Sequence, residues 1–108
     1  MKCSKKQIRE KFSRECGHRD KYRCAVPTCK SMICDHYDTH HITNRNLMPN
    51  SGYTKSNGIT LCYDCHWKAE KFHRTEGKEW EEGFHPDDLY KIIGSSYEKA
   101  REDSERLQ

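Results

Sequence analysis

The chain lacks a long apolar run. No stretch approaches the ~20 consecutive apolar residues that a membrane span needs. Hydrophobic residues make up 32% of 108 positions, and the mean hydropathy is −1.20. So little apolar surface excludes a generous core. A domain this small and polar needs a staple, whether disulfide, metal, partner or bound polymer. The front end, MKCSKKQIREKF, has no apolar segment of the kind that marks a secretory signal. The expectation is an intracellular, cytoplasmic chain with reduced thiols and no membrane association. Internal repeats and low-complexity tracts are also lacking, which excludes a solenoid or a flexible linker. A strong charge excess is lacking too. The formal net charge of +3 permits nucleic-acid binding without arguing for it.

What the chain does have is seven cysteines and seven histidines. In a reducing compartment, paired cysteine spacing favours zinc over disulfide, and the odd count leaves at least one thiol outside any disulfide scheme. Cys24 and Cys29 flank a proline-containing knuckle, and Cys62 and Cys65 form a Cys-x-x-Cys pair. Four thiolates in two close pairs are the pattern of a structural zinc ribbon. Cys34, Cys16 or His18 are the competing ligands for one place in that set. The charge distribution adds a second signal. Lysines and arginines outnumber acids between Lys5 and Lys30, whereas the stretch after Lys78 is acid-rich. That asymmetry fits a front that faces phosphate.

A pass along the chain predicts a small α+β domain. Residues 4 to 15 form a helix capped by Ser4, with Ile8 and Phe12 on one face. Residues 31 to 42 form a strand or hairpin. Residues 43 to 58 form a loop that is long for so small a domain. Ile59-Thr60-Leu61 supplies a second strand, and residues 62 to 76 a helix with Trp67, Ala69 and Phe72 packed inward. Pro86-Asp87-Asp88 opens a last helix with Leu89, Ile92, Ile93 and Tyr97 on its apolar face and Gly94 weakening its middle. The charged end, KAREDSERLQ, is expected to fray. The expected organisation is a basic helix and lead-in over 1–21, a core over 22–75 and a helical extension over 76–108.

The chemistry gathers between Asp38 and Glu70. On a helix, His66 and Glu70 lie one turn apart on one face, a two-point clamp for a divalent ion. His40, from the preceding strand, supplies a third ligand and leaves positions open for water and a phosphate oxygen. His41 faces the other side of that strand and suits a general base, since a neutral imidazole accepts a proton near pH 7. Asn57 is placed to hold the loop in shape. Arg45 and Lys55 are the loop's candidates for gripping phosphate.

The segments Asp38-Thr39-His40-His41-Ile42, Asn57-Gly58-Ile59-Thr60-Leu61-Cys62, Cys65-His66 and Ala69-Glu70 resemble the HNH endonucleases. The stretch from His41 to Glu70 is similar to small members common in phages. The resemblance covers roughly residues 22 to 73. It implies a ββα-metal finger stapled by a structural zinc and flanked by N- and C-terminal helices. It implies His41 as the base, Asn57 as the loop-locking residue, and His40 and His66 as ligands of a catalytic ion (Mg²⁺, Mn²⁺, Ni²⁺ or Zn²⁺). Many members carry histidine where Glu70 stands, and two residues rather than four between the first cysteines. The implied reaction is hydrolysis of DNA phosphodiester bonds, as a nick or a double-strand cut, with a homodimer or phage DNA-processing proteins as partners. The other readings are a non-catalytic zinc-ribbon module that binds nucleic acid or protein, and an accessory part of a larger DNA-processing complex.

Overall fold

A computed structural model describes residues 4–29 and 37–107. Cys3, Cys34, His36 and the first part of the expected 31–42 strand lie outside the described residues. Among the described residues, four α-helices surround a two-stranded antiparallel sheet. In chain order the elements are α1 (Lys5–Arg19), β1 (Tyr37–His41), β2 (Gly58–Cys62), α2 (Tyr63–Arg74), α3 (Pro86–Ile92) and α4 (Tyr97–Glu105). No described helix is long and apolar enough to cross a membrane.

Helix α1 starts at a capping box, in which the Ser4 hydroxyl accepts from the Gln7 amide and the Gln7 side chain accepts from the Ser4 amide. It runs past the expected end at residue 15, because Phe12, Cys16 and Gly17 form one buried face against the sheet. The approach is close at Gly58, where a Cβ would lie 2.5 Å from Cys16 Sγ and 2.6 Å from the Phe12 ring. Past the helix end, Arg19 holds the Asp20 carboxylate through two 2.8 Å bonds, and Asp20 accepts from the Thr60 amide at 2.9 Å. The Ala25 amide donates to the Thr60 carbonyl at 2.9 Å. The edge of β2 away from β1 is thereby occupied, and every residue of β2 is buried.

The register pairs Thr39 with Thr60, His40 with Ile59 and His41 with Gly58. Alternation along β1 turns Thr39 and His41 toward α1 and His40 toward α2. Ile42, Ile59, Leu61 and Leu89 are fully buried at the centre of the core.

Residues 43–57 are more ordered than a plain loop. They form three short 3₁₀ turns, Arg45–Leu47, Pro49–Gly52 and Lys55–Asn57. The C-terminal region also departs from expectation. The single expected helix breaks where Gly94 takes a left-handed φ of +69°, and Ser96 caps a new helix. The charged end, expected to fray, is helical as far as Glu105. Ala100 and Ser104, one turn apart, are buried and bring α4 close to the 43–57 segment. There the Asn50 side-chain Nδ2 donates to the carbonyls of Ser104 (2.8 Å) and Leu107 (3.0 Å), and the Ser56 hydroxyl donates to Asp103 at 2.8 Å. Trp67 is not a core residue. It is 62% exposed, because it lies two positions from both Cys65 and Ala69 and so faces away from them. The Arg74 guanidinium stacks on its ring at 4.1 Å.

Candidate metal centres

Four cysteines converge at one end of the sheet. Cys24 and Cys29 lie in the knuckle after α1, Cys62 ends β2, and Cys65 sits in the first turn of α2. Their sulfurs all lie within 4.8 Å of one another. Cys29 Sγ and Cys62 Sγ are 3.7 Å apart, against an edge of about 3.8 Å for a tetrahedron of sulfurs at zinc distance. The Cys62 side chain makes no capping bond to α2, which leaves its sulfur to the cluster. The Cys62 and Val26 amides donate to the Cys24 sulfur. Burial pushes the Cys24 thiol up to about 11 and raises the Cys65 thiol as well. Four sulfurs crowded together and desolvated are relieved by a soft cation that takes them as thiolates. The donor set therefore fits a structural zinc ion. Cys16 does not join the cluster. It is packed under Gly58, where burial raises its thiol to about 12. His18 is exposed on α1.

The second group lies between β1 and α2. His40 Nδ1 and His66 Nε2 each sit 3.1 Å from the same Glu70 oxygen, Oε1. Donor atoms 3.1 Å apart at a metal–ligand distance of about 2.1 Å subtend roughly 95° at the ion. That angle lies between octahedral and tetrahedral values. Burial lowers the His40 pKa, although its bond to Glu70 acts the other way. Hydrogen bonds from His40 and then His66 hold Glu70 well below the usual carboxylate range. The bond to Glu70 raises His66. One anionic oxygen and two ring nitrogens on one point fit a divalent cation with open positions. Asp38 Oδ2 lies 3.6 Å from the other His66 nitrogen, within ion-pair range, and can orient that ring as carboxylates behind metal-bound histidines do.

His41 stands on the opposite strand face from His40. Its ring lies 4.7 Å from both the Phe12 and Tyr53 rings. Its Nε2 is buried and has no hydrogen-bond partner among the described residues. Desolvation, helped by the nearby His40 and Arg45, depresses its pKa to about 4, which leaves the ring neutral. The His41 carbonyl accepts from His73 Nε2 at 2.8 Å, and the His73 ring stacks on His40 at 5.1 Å. His73 thus braces both histidines of β1. Its position three residues after Glu70 and seven after His66 puts it on the same helix face as both.

Asn57 is fully buried. Its Oδ1 accepts from the Thr43 amide (2.9 Å) and the Tyr90 hydroxyl (2.8 Å), and its Nδ2 donates to the carbonyls of Thr43 (3.1 Å) and Gly52 (3.2 Å). It ties both ends of the 43–57 segment together directly behind His41. Asn57→Ala is expected to lower stability by about 2–3 kcal/mol, because it strands buried backbone and tyrosine groups. Urea denaturation of the two proteins checks this, and equal midpoints would contradict it. Arg45 is exposed beside Tyr53 (3.4 Å), and Lys55 is exposed on the third 3₁₀ turn, so neither belongs to either donor cluster. No family model matches the chain, and no curated protein or solved structure matches it either.

Proposed function

We propose that the chain is a metal-dependent endonuclease of HNH type that hydrolyses DNA phosphodiester bonds. The observation that carries this reading is the convergence of His40, His66 and Glu70 on one point, with donor atoms within 4.8 Å. The group is half-buried rather than closed, as a site that admits substrate requires. When bound there, Mg²⁺, Mn²⁺, Ni²⁺ or Zn²⁺ supplies Lewis-acid charge to a phosphate oxygen. His40, His66 and Glu70 hold that charge, and Asp38 and His73 orient the two imidazoles. His41 Nε2 takes a proton from water as the water oxygen bonds to phosphorus. The bond from phosphorus to the 3′ oxygen breaks and that oxygen takes a proton from solvent water, giving 5′-phosphate and 3′-hydroxyl ends. The exposed cations on α1 (Lys5, Lys6, Arg9 and Arg14), with Arg45 and Lys55, suit contact with the phosphate backbone. The four-cysteine cluster carries a structural zinc and takes no part in the chemistry.

A second reading rests on the burial of His41 Nε2. A base sealed in the resting chain suits an accessory subunit whose cutting waits on a partner, such as a second copy or another DNA-processing protein. The test is cleavage of supercoiled plasmid by the purified chain with Mg²⁺, Mn²⁺, Ni²⁺ or Zn²⁺ in turn. Nicked or linear product that disappears with chelator is expected. No product with any metal, alone or with candidate partners, sinks the endonuclease reading.

A further inference from the structure

A groove of about 310 Å³ opens on the α1 side of the sheet, between the last turns of α1 and the outer edge of β1. It uses none of the residues of either metal cluster, yet it reaches Asp38, which lies 3.6 Å from His66. Two tyrosines wall it. Tyr22 is 50% exposed and Tyr37 is 39% exposed.

Tyr22 is held there by unusual means. The chain leaves α1 through two successive non-glycine residues in the left-handed region, Lys21 (φ 61°) and Tyr22 (φ 53°). Such residues are uncommon and cost energy that the surroundings must offset. The turn brings the Tyr22 amide to the Gly17 carbonyl at 2.7 Å and lays its ring across Gly17, where a Cβ would come within 2.7 Å of it. A glycine inside a helix, a strained exit and an exposed aromatic thus combine to build one platform.

The groove floor is hydroxylic. Thr39 and Thr60 are cross-strand partners, and the Thr60 side chain is 1% exposed with an Oγ1 that has no partner among the described residues. A buried hydroxyl left unpaired costs free energy unless something meets it. Arg14 stands at the rim.

Aromatic walls, hydroxyls that both donate and accept, and one cation suit a flat, neutral, hydrogen-bonding ring attached to a phosphate. We infer that the groove takes one unstacked nucleobase of the bound nucleic-acid strand, held by Tyr22 and Tyr37, with its polar edge on Thr60 and its phosphate at Arg14. The inference rests on the nucleic-acid reading above, and it names where a strand is gripped beside the cutting site.

The experiment uses the full zinc-loaded chain and a single-stranded oligonucleotide carrying one 2-aminopurine, with no added catalytic metal. Stacking in the groove is expected to quench the probe on binding. Tyr37→Ala and Tyr22→Ala should each weaken binding about tenfold, in line with the loss of one aromatic–base contact. Tyr22→Phe should keep the affinity, and Thr60→Val should change the preference among the four bases. Circular dichroism checks folding. If Tyr22→Ala does not fold, Tyr37→Ala, on the exposed edge, decides. Unchanged quenching and affinity across these variants overturn the inference. Competition by a free deoxynucleoside monophosphate as strong as that of the strand also overturns it, since the occupant would then be a free nucleotide. Failure here with plasmid cleavage intact removes the groove and leaves the endonuclease. Quenching without cleavage by any metal keeps the groove and removes the endonuclease.

Discussion

Replacing His41 by alanine is expected to slow DNA cutting by about 10²- to 10⁴-fold, the usual contribution of a positioned general base. The fold should survive. His41 Nε2 bonds to nothing among the described residues, so losing the ring strands no partner there. The backbone carbonyl that His73 binds stays in place. The gap left between Phe12 and Tyr53 is flat and about the size of an imidazole. Imidazole added to the buffer should therefore restore part of the rate in the variant and do nothing to the parent chain. Plasmid nicking across an imidazole series, with thermal melts of both proteins, makes the check. Equal rates for parent and variant would remove His41 from the chemistry.

Cys62→Ser is expected to abolish the folded domain at ambient temperature. A structural zinc contributes an apparent ~10–16 kcal/mol in small zinc domains. Whole domains are stable by only ~5–15 kcal/mol. This chain has little core with which to make up the difference. Cys62 also sits at the junction of β2 and α2, with its sulfur 3.7 Å from that of Cys29. The parent chain should hold one tightly bound zinc by elemental analysis and melt cooperatively, and strong chelators should remove both properties. His66→Ala should keep the zinc and the melt while losing activity. The opposite pattern, with Cys62→Ser folded and inactive and His66→Ala unfolded, would mean that the roles of the two clusters are exchanged.

Local features were legible in the sequence. The Ser4 cap, β2, the start of α2 and the opening of α3 at Pro86 all follow from neighbouring residues. Cys62 with Cys65 could be paired from their Cys-x-x-Cys spacing, and His66 with Glu70 from the helical period. The rest depends on contacts between distant segments. Gly94 could be seen as a weak point but not as a complete break. The docking of α4 depends on Asn50, which lies 54 residues from Ser104. The Tyr90 hydroxyl reaches Asn57 across 33 residues. The outward turn of Trp67 was hidden because an aromatic in a polar chain is expected to pack, whereas here an arginine on the same helix covers it. The groove beside Tyr22 had no sequence signal beyond Gly17, since the left-handed exit involves a lysine and a tyrosine.

Cys65 and His66 are adjacent on the first turns of α2 yet belong to different donor clusters. The same few residues of helix must be in register for either cluster to close. Occupancy of one therefore lowers the ordering cost of the other, and by reciprocity each ion tightens the other's hold by the same factor. If the chain is the nuclease proposed above, zinc at the cysteines would thus also favour closure of the His40, His66 and Glu70 site.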